Sequence, residues 1–105
     1  MYNLIKQLDP ANIDIWWNLI IRKESQYDPN AVNENRIECP TEICFGLFQM
    51  GSGVINGPID NGYTDWVAQA KNAVAWNNNL ASKGCQWTYW GTAKNLWPNN
   101  PECYK

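Results

Sequence analysis

The chain has 105 residues, 45% of them hydrophobic and 17% charged, with a formal charge of −2; this globular composition excludes a disordered acidic tail and a polybasic nucleic-acid arm. The length fits one domain over residues 1–105 with no room for a second core, and a monomer that does not bind nucleic acid is expected. Histidine is absent, which removes Ser-His-Asp and Cys-His nucleophiles and imidazole metal sites, so acid–base chemistry falls to carboxylates, lysines, tyrosines or cysteines.

Residues 1–10 lack the basic start, apolar middle and small-residue cleavage site of a secretory signal, so any export signal has been removed or was never needed. Asp9-Pro10-Ala11-Asn12 combines capping residues with an early proline and predicts a helix start. The run that follows, residues 13–24, is apolar around nearly its whole circumference and reads as a central, buried helix. Ile13, Ile15, Ile20 and Ile21 would also suit a buried strand, but the run is long for one. Asp14 and Asn18 leave it too short and too polar to span a bilayer.

Residues 25–44 are rich in Asp, Asn, Glu and Pro and predict an irregular lobe with little regular structure. Around Gly46, residues 43–50 suggest a short strand or hairpin leading into glycine-rich loops. Over residues 63–83, Trp66, Val67, Ala70, Ala73, Val74, Leu80 and Ala81 recur at helical spacing, and Gly84 is placed to end the helix. A short helix reaching Leu96 and a tail containing Pro and Asn follow. The fold class expected is α+β, mainly α, with a buried central helix and a short β element.

Cys39, Cys44, Cys85 and Cys103 admit three pairings if all are oxidised, and proximity along the chain favours Cys39–Cys44 and Cys85–Cys103. Zinc is the competing reading, but neither spacing is a close C-x-x-C knuckle and no histidine is present, so no metal or cofactor is expected. Two disulfides imply a secreted or cell-envelope setting, and a phage lysin would also fit.

Glu24 ends the central helix, with Trp17, Ile20 and Ile21 at i−7, i−4 and i−3 on the same side. Desolvation against such a surface disfavours the ionised form, so the expected shift is upward, toward a carboxyl that keeps its proton near neutral pH and acts as a general acid. The alternative is a solvated residue at a fraying helix end. Trp16, Trp17 and Trp66 read as core. Trp87, Tyr89 and Trp90, in a loop held by Cys85, divide between core and a sugar-facing cleft, because aromatic rings offer a flat apolar face to pyranose C–H groups.

From Glu24 the chain reads Glu24-Ser25-Gln26-Tyr27-Asp28-Pro29-Asn30-Ala31-Val32-Asn33, and downstream Phe45-Gly46-Leu47-Phe48-Gln49-Met50. These blocks, in this order behind an apolar helix, resemble the Glu-Ser-x-aromatic-x-Pro-x-Ala-x-Asn/Ser and Gly-Leu-x-Gln motifs of the lysozyme-like superfamily, shared by soluble-type lytic transglycosylases and, more loosely, by C-type lysozymes. The resemblance covers residues 13–50 well and extends weakly through the later helix and residues 84–90. It implies a lysozyme-like domain that acts on peptidoglycan between N-acetylmuramic acid and N-acetylglucosamine.

Carried over by position, the resemblance makes Glu24 the catalytic acid and Ser25 the serine whose hydroxyl binds backbone and fixes the turn. Asn33 then lines the cleft, and Gln49 bonds sugar or positions Glu24. Gly46 lets the backbone approach saccharide or the central helix. A carboxyl raised by an apolar pocket is the established pattern in lysozymes, so the desolvation argument agrees with the resemblance without being independent of it. C-type lysozymes carry an aspartate two residues before the motif glycine, where this chain has Cys44. Glu42 is the nearest carboxylate, repositioned if Cys39 and Cys44 pair; otherwise it is an exposed loop residue. Without a second carboxylate the one-glutamate route, assisted by the substrate's acetamido group, fits better than a two-carboxylate retaining mechanism. The expectation from a different class is a noncatalytic module that binds glycan or a partner protein.

Overall fold

The computed structural model describes residues 1–36, 39–51 and 65–104, with the side chains of 33–36, 39–43 and 104 outside that description. The chain opens with a short helix, α1 (Tyr2–Leu8), where the sequence predicts no element. Its apolar residues explain it: Ile5 is fully buried, Leu4 and Leu8 pack beside it, and α1 lies against the long C-terminal helix. The expected capping by Asp9 takes another form. Its carboxylate accepts from Asn12 Nδ2 at 3.0 and 3.1 Å and from the Trp16 indole N–H at 2.9 Å, tying the 3-10 turn Pro10–Asn12 to the core instead of bonding backbone amides.

The central helix, α2, covers residues 13–25; its middle, Ile15–Ile21, is a π-helix and its end, Arg22–Ser25, is α-helical. Trp16, Ile20 and Ile21 are completely buried. The all-round burial expected from composition is only partly met: Asp14, Asn18, Arg22 and Lys23 form a solvated flank, while Ile15, Trp17 and Leu19 are half-buried. Trp16 sits at the centre of the core, edge-on to Phe48 at 5.4 Å, Trp87 at 4.8 Å and Trp90 at 5.1 Å. Trp90 donates its indole N–H to the Phe48 carbonyl at 2.8 Å, so this large buried ring keeps its polar atom satisfied.

The lobe expected to be irregular contains an antiparallel hairpin. Strands β1 (Val32–Arg36), β2 (Cys39–Phe45) and β3 (Met50–Gly51) form a sheet in that order, with Val32 opposite Phe45, Asn33 opposite Cys44 and Phe45 opposite Met50. The polar sequence of β1 carries no period-2 signal, because pairing context rather than intrinsic propensity makes it a strand.

Helix α3 (Trp66–Ser82) follows the expected long helix closely. Asp65 caps it, its carboxylate accepting from the Val67 N–H at 2.9 Å, and Gly84 takes the left-handed conformation, φ 73°, just past its end. Residues 63 and 64 of the expected helix lie outside the described residues. Ala70, Ala73 and Val74 are buried as predicted, Trp66, Val67 and Leu80 are half-buried, and Ala81 is exposed; the same buried face also carries Gln69 and Asn77. A 3-10 helix over Gly91–Leu96 and another over Pro101–Tyr104 complete the chain. Cys85 and Cys103 are bonded with their Cα atoms 5.6 Å apart, fixing that tail to the end of α3. Cys44 is also disulfide-bonded, and its expected partner Cys39 has its side chain outside the described set. Among the described residues no helix is long and apolar enough to cross a membrane.

Candidate active site

The last turn of α2 carries the site. Glu24 retains 4% of its surface and Ser25 9%, one turn beyond the fully buried Ile20 and Ile21. The Ser25 hydroxyl donates to the Ile21 carbonyl at 3.1 Å, so it is committed to the helix backbone and is not presented to a ligand. Directly after it, Gln26 and Tyr27 both adopt left-handed backbone, φ 53° and 65°, a conformation uncommon for residues other than glycine. Such strain costs on the order of 1 kcal/mol per residue and persists only where the surroundings enforce it. Here the Gln26 amide closes α2 on the Arg22 carbonyl at 3.2 Å, and the Tyr27 ring packs 4.8 Å from Trp17.

Two buried carboxamides then join the segments that the sequence singled out. Gln49, 1% exposed and itself left-handed at φ 50°, donates through Nε2 to the carbonyls of Ala31 at 3.2 Å and Gly46 at 3.0 Å. Gln69 on α3 accepts from the Leu47 amide and donates to the Pro29 carbonyl, both at 2.9 Å. The Gly46 amide adds a bond to the Ala31 carbonyl at 2.8 Å. The loop that follows Glu24 is thus fastened to the turn between β2 and β3. Gly46, at φ 76°, is needed there because a Cβ would collide with the Gln69 carboxamide; within the protein its close approach is to α3 and not to α2.

Gln69 escaped the sequence reading because a lone polar residue on an amphipathic helix reads as surface. The available signal was its place at i−4 from Ala73 and i−8 from Asn77, on the face that turns inward.

The aromatic candidates separate by burial. Of the two places the sequence left open for them, core and sugar-facing cleft, Trp87, 4% exposed, and Trp90, fully buried, take the core, each in a T-shaped contact with Trp16 at 4.8 and 5.1 Å. Trp87 holds φ 73°, with its amide donating to Asn77 Oδ1 at 2.8 Å. Tyr89 is half-buried, and its hydroxyl accepts from the Gly51 amide at 2.7 Å. Asn33 lies in β1 and Glu42 in β2 by backbone, and their side chains fall outside the described residues. Among the described residues no cluster of Cys, Asp or Glu could hold a metal ion.

Chemically, the arrangement offers a sheltered carboxyl at a helix end, a strained turn behind it and a neighbouring loop immobilised by buried amides. No family model, no curated protein and no solved structure matches this chain.

Proposed function

We propose that the protein is a lysozyme-like muramidase that cleaves the β-1,4 bond between N-acetylmuramic acid and N-acetylglucosamine in peptidoglycan, with Glu24 as its acid and base. The observation that carries this reading is the burial of Glu24 to 4% exposure at the end of an apolar helix, the condition under which a carboxyl holds its proton. It is supported by the contact between the two sequence blocks, made through Ala31, Gly46 and Gln49. The Cys85–Cys103 bond favours work outside the reducing cytosol.

In this mechanism Glu24 gives its proton to the glycosidic oxygen as the C1–O bond breaks, and the substrate's acetamido oxygen attacks C1 to hold the developing cation as an oxazolinium ion. The Glu24 carboxylate then takes a proton either from water, giving a reducing end, or from the C6 hydroxyl, giving a 1,6-anhydro ring. Gln49 and Gln69 act as positioning residues for the loop beyond the acid. Clearing of a peptidoglycan suspension tests the proposal: the wild type clears it and Glu24→Gln slows clearing by about 100-fold or more, the ordinary share of a general acid.

A noncatalytic wall-binding module is the second reading, favoured by Cys44 standing two residues before Gly46, where C-type lysozymes carry an aspartate. It predicts sedimentation with cell walls, no clearing, and no effect of Glu24→Gln.

A further inference from the structure

The solvated flank of α2 carries a surface that the chemistry at Glu24 does not use. A groove of about 520 Å³ lies between α2 and the 3-10 helix Gly91–Leu96, which pack against each other. Along its α2 wall stand Asp14 at one end, Asn18 in the middle and Lys23 at the other end. In an unbroken α-helix, turning about 100° per residue, positions nine apart lie on opposite faces. The π-helical stretch Ile15–Ile21 bonds i to i+5 and takes more residues per turn, and the acid and the base share one wall.

The groove is open in both its polar and its apolar parts. Among the described residues, Asp14, Asn18 and Lys23 are exposed and spend no side-chain atom on an internal hydrogen bond or ion pair. Half-buried Ile15 and Leu19, with Leu96 at 42% exposure, give it an aliphatic lining. A lone exposed leucine needs no explanation, but three aliphatic side chains gathered in one groove between two uncommitted opposite charges have the layout of an interface, apolar inside and polar at the rim.

The walls decide what kind of chain fits. The α2 wall is continuous helix, so its backbone groups are spent on their own ladder and an extended peptide would find no strand edge to pair with. A helix arrives with its backbone bonds already made and needs only matching side chains. Asp14 and Lys23 are separated by about 13 Å at α-helical rise and by less across the wide turns, while positions seven apart on a docked helix share a face about 10 Å apart. A helix with a glutamate, leucines three and four positions on and a lysine seven positions on therefore meets both charges and lays its leucines on Ile15, Leu19 and Leu96. Acid before base is also the order that a helix dipole favours, and with the acid at Lys23 that helix runs antiparallel to α2. We infer that this groove docks an amphipathic helix of a partner protein, antiparallel to α2, with an acidic residue facing Lys23 and a basic residue facing Asp14. The inference stands apart from the reaction at Glu24.

The test is fluorescence anisotropy of the full chain with a labelled, side-chain-stapled helical peptide of that pattern, beside a second peptide with its glutamate and lysine exchanged. The first should bind about tenfold more tightly, and the Asp14→Lys, Lys23→Asp double variant, changed only at exposed positions, should prefer the second. In NMR spectra the first peptide should shift the backbone amides of Asn18, Leu19 and Leu96. No binding, equal binding of the two peptides, shifts centred elsewhere, or the same preference in wild type and variant would overturn the inference; if the variant does not fold, the wild-type preference and shift map decide it. Self-association of the chain that Leu96→Asp abolishes would give the groove to a second copy and overturn it as well.

Discussion

Gln69, outside the two sequence blocks, is one of the two buried carboxamides that hold the candidate site together. Replacing it with Leu strips partners from the Leu47 amide and the Pro29 carbonyl, and stability should fall by about 2–4 kcal/mol in urea unfolding. Gly46→Ala should also destabilise, because its new methyl meets the Gln69 carboxamide at a backbone angle that disfavours side chains. Combined with Gln69→Ala it should cost less than the sum of the two single changes, since the colliding group is gone; strict additivity would contradict that geometry. In the proposed mechanism Glu24 carries the pH dependence. As a general acid it must be protonated, so kcat/KM should fall as pH rises through its pKa. That alkaline limb should be lost in Glu24→Gln. A limb that survives in Glu24→Gln would assign it to another group.

At the level of elements, the parts legible in the sequence are those with a repeating apolar pattern. Helix α3 was readable because its inward positions recur at helical spacing between Asp65 and Gly84, and α2 because residues 13–24 are too apolar and too long for a strand. The π-helix was not readable, since an i to i+5 ladder leaves no compositional mark. Nor was β1, whose Val-Asn-Glu-Asn-Arg sequence becomes a strand through pairing with β2. For the site, Glu24 and Gly46 were legible as residue types in a motif. The assignment of Trp87 and Trp90 to the core depended on Trp16 reaching them across the chain, a long-range packing fact that local patterns do not encode. The Cys85–Cys103 bond is the one device that holds the C-terminal 3-10 segments to α3 by covalent means among the described residues. Opening it with a Cys85→Ser, Cys103→Ser double variant should cost about 3 kcal/mol by loop entropy, read as a lower Tm. An unchanged Tm would mean that Trp90, Trp97 and the Asn77 contact suffice to hold the tail.

Across the whole molecule, one contiguous core of tryptophan, isoleucine and alanine side chains supports α2 on one side and leaves its opposite flank as a polar groove. The strained turn after Ser25, the buried amides of Gln49 and Gln69, and the small sheet all converge on the segment that follows Glu24. Such a frame suits a carboxyl that must stay in place through protonation and deprotonation, and rigid support of this kind is what acid–base catalysis draws on. Mass spectrometry of peptidoglycan incubated with the wild type and with Glu24→Gln tests that most directly. Soluble muropeptides bearing reducing or 1,6-anhydro ends, formed by the wild type and lost in the folded variant, are the predicted result; intact glycan strands in both samples, or equal product from both, would contradict it.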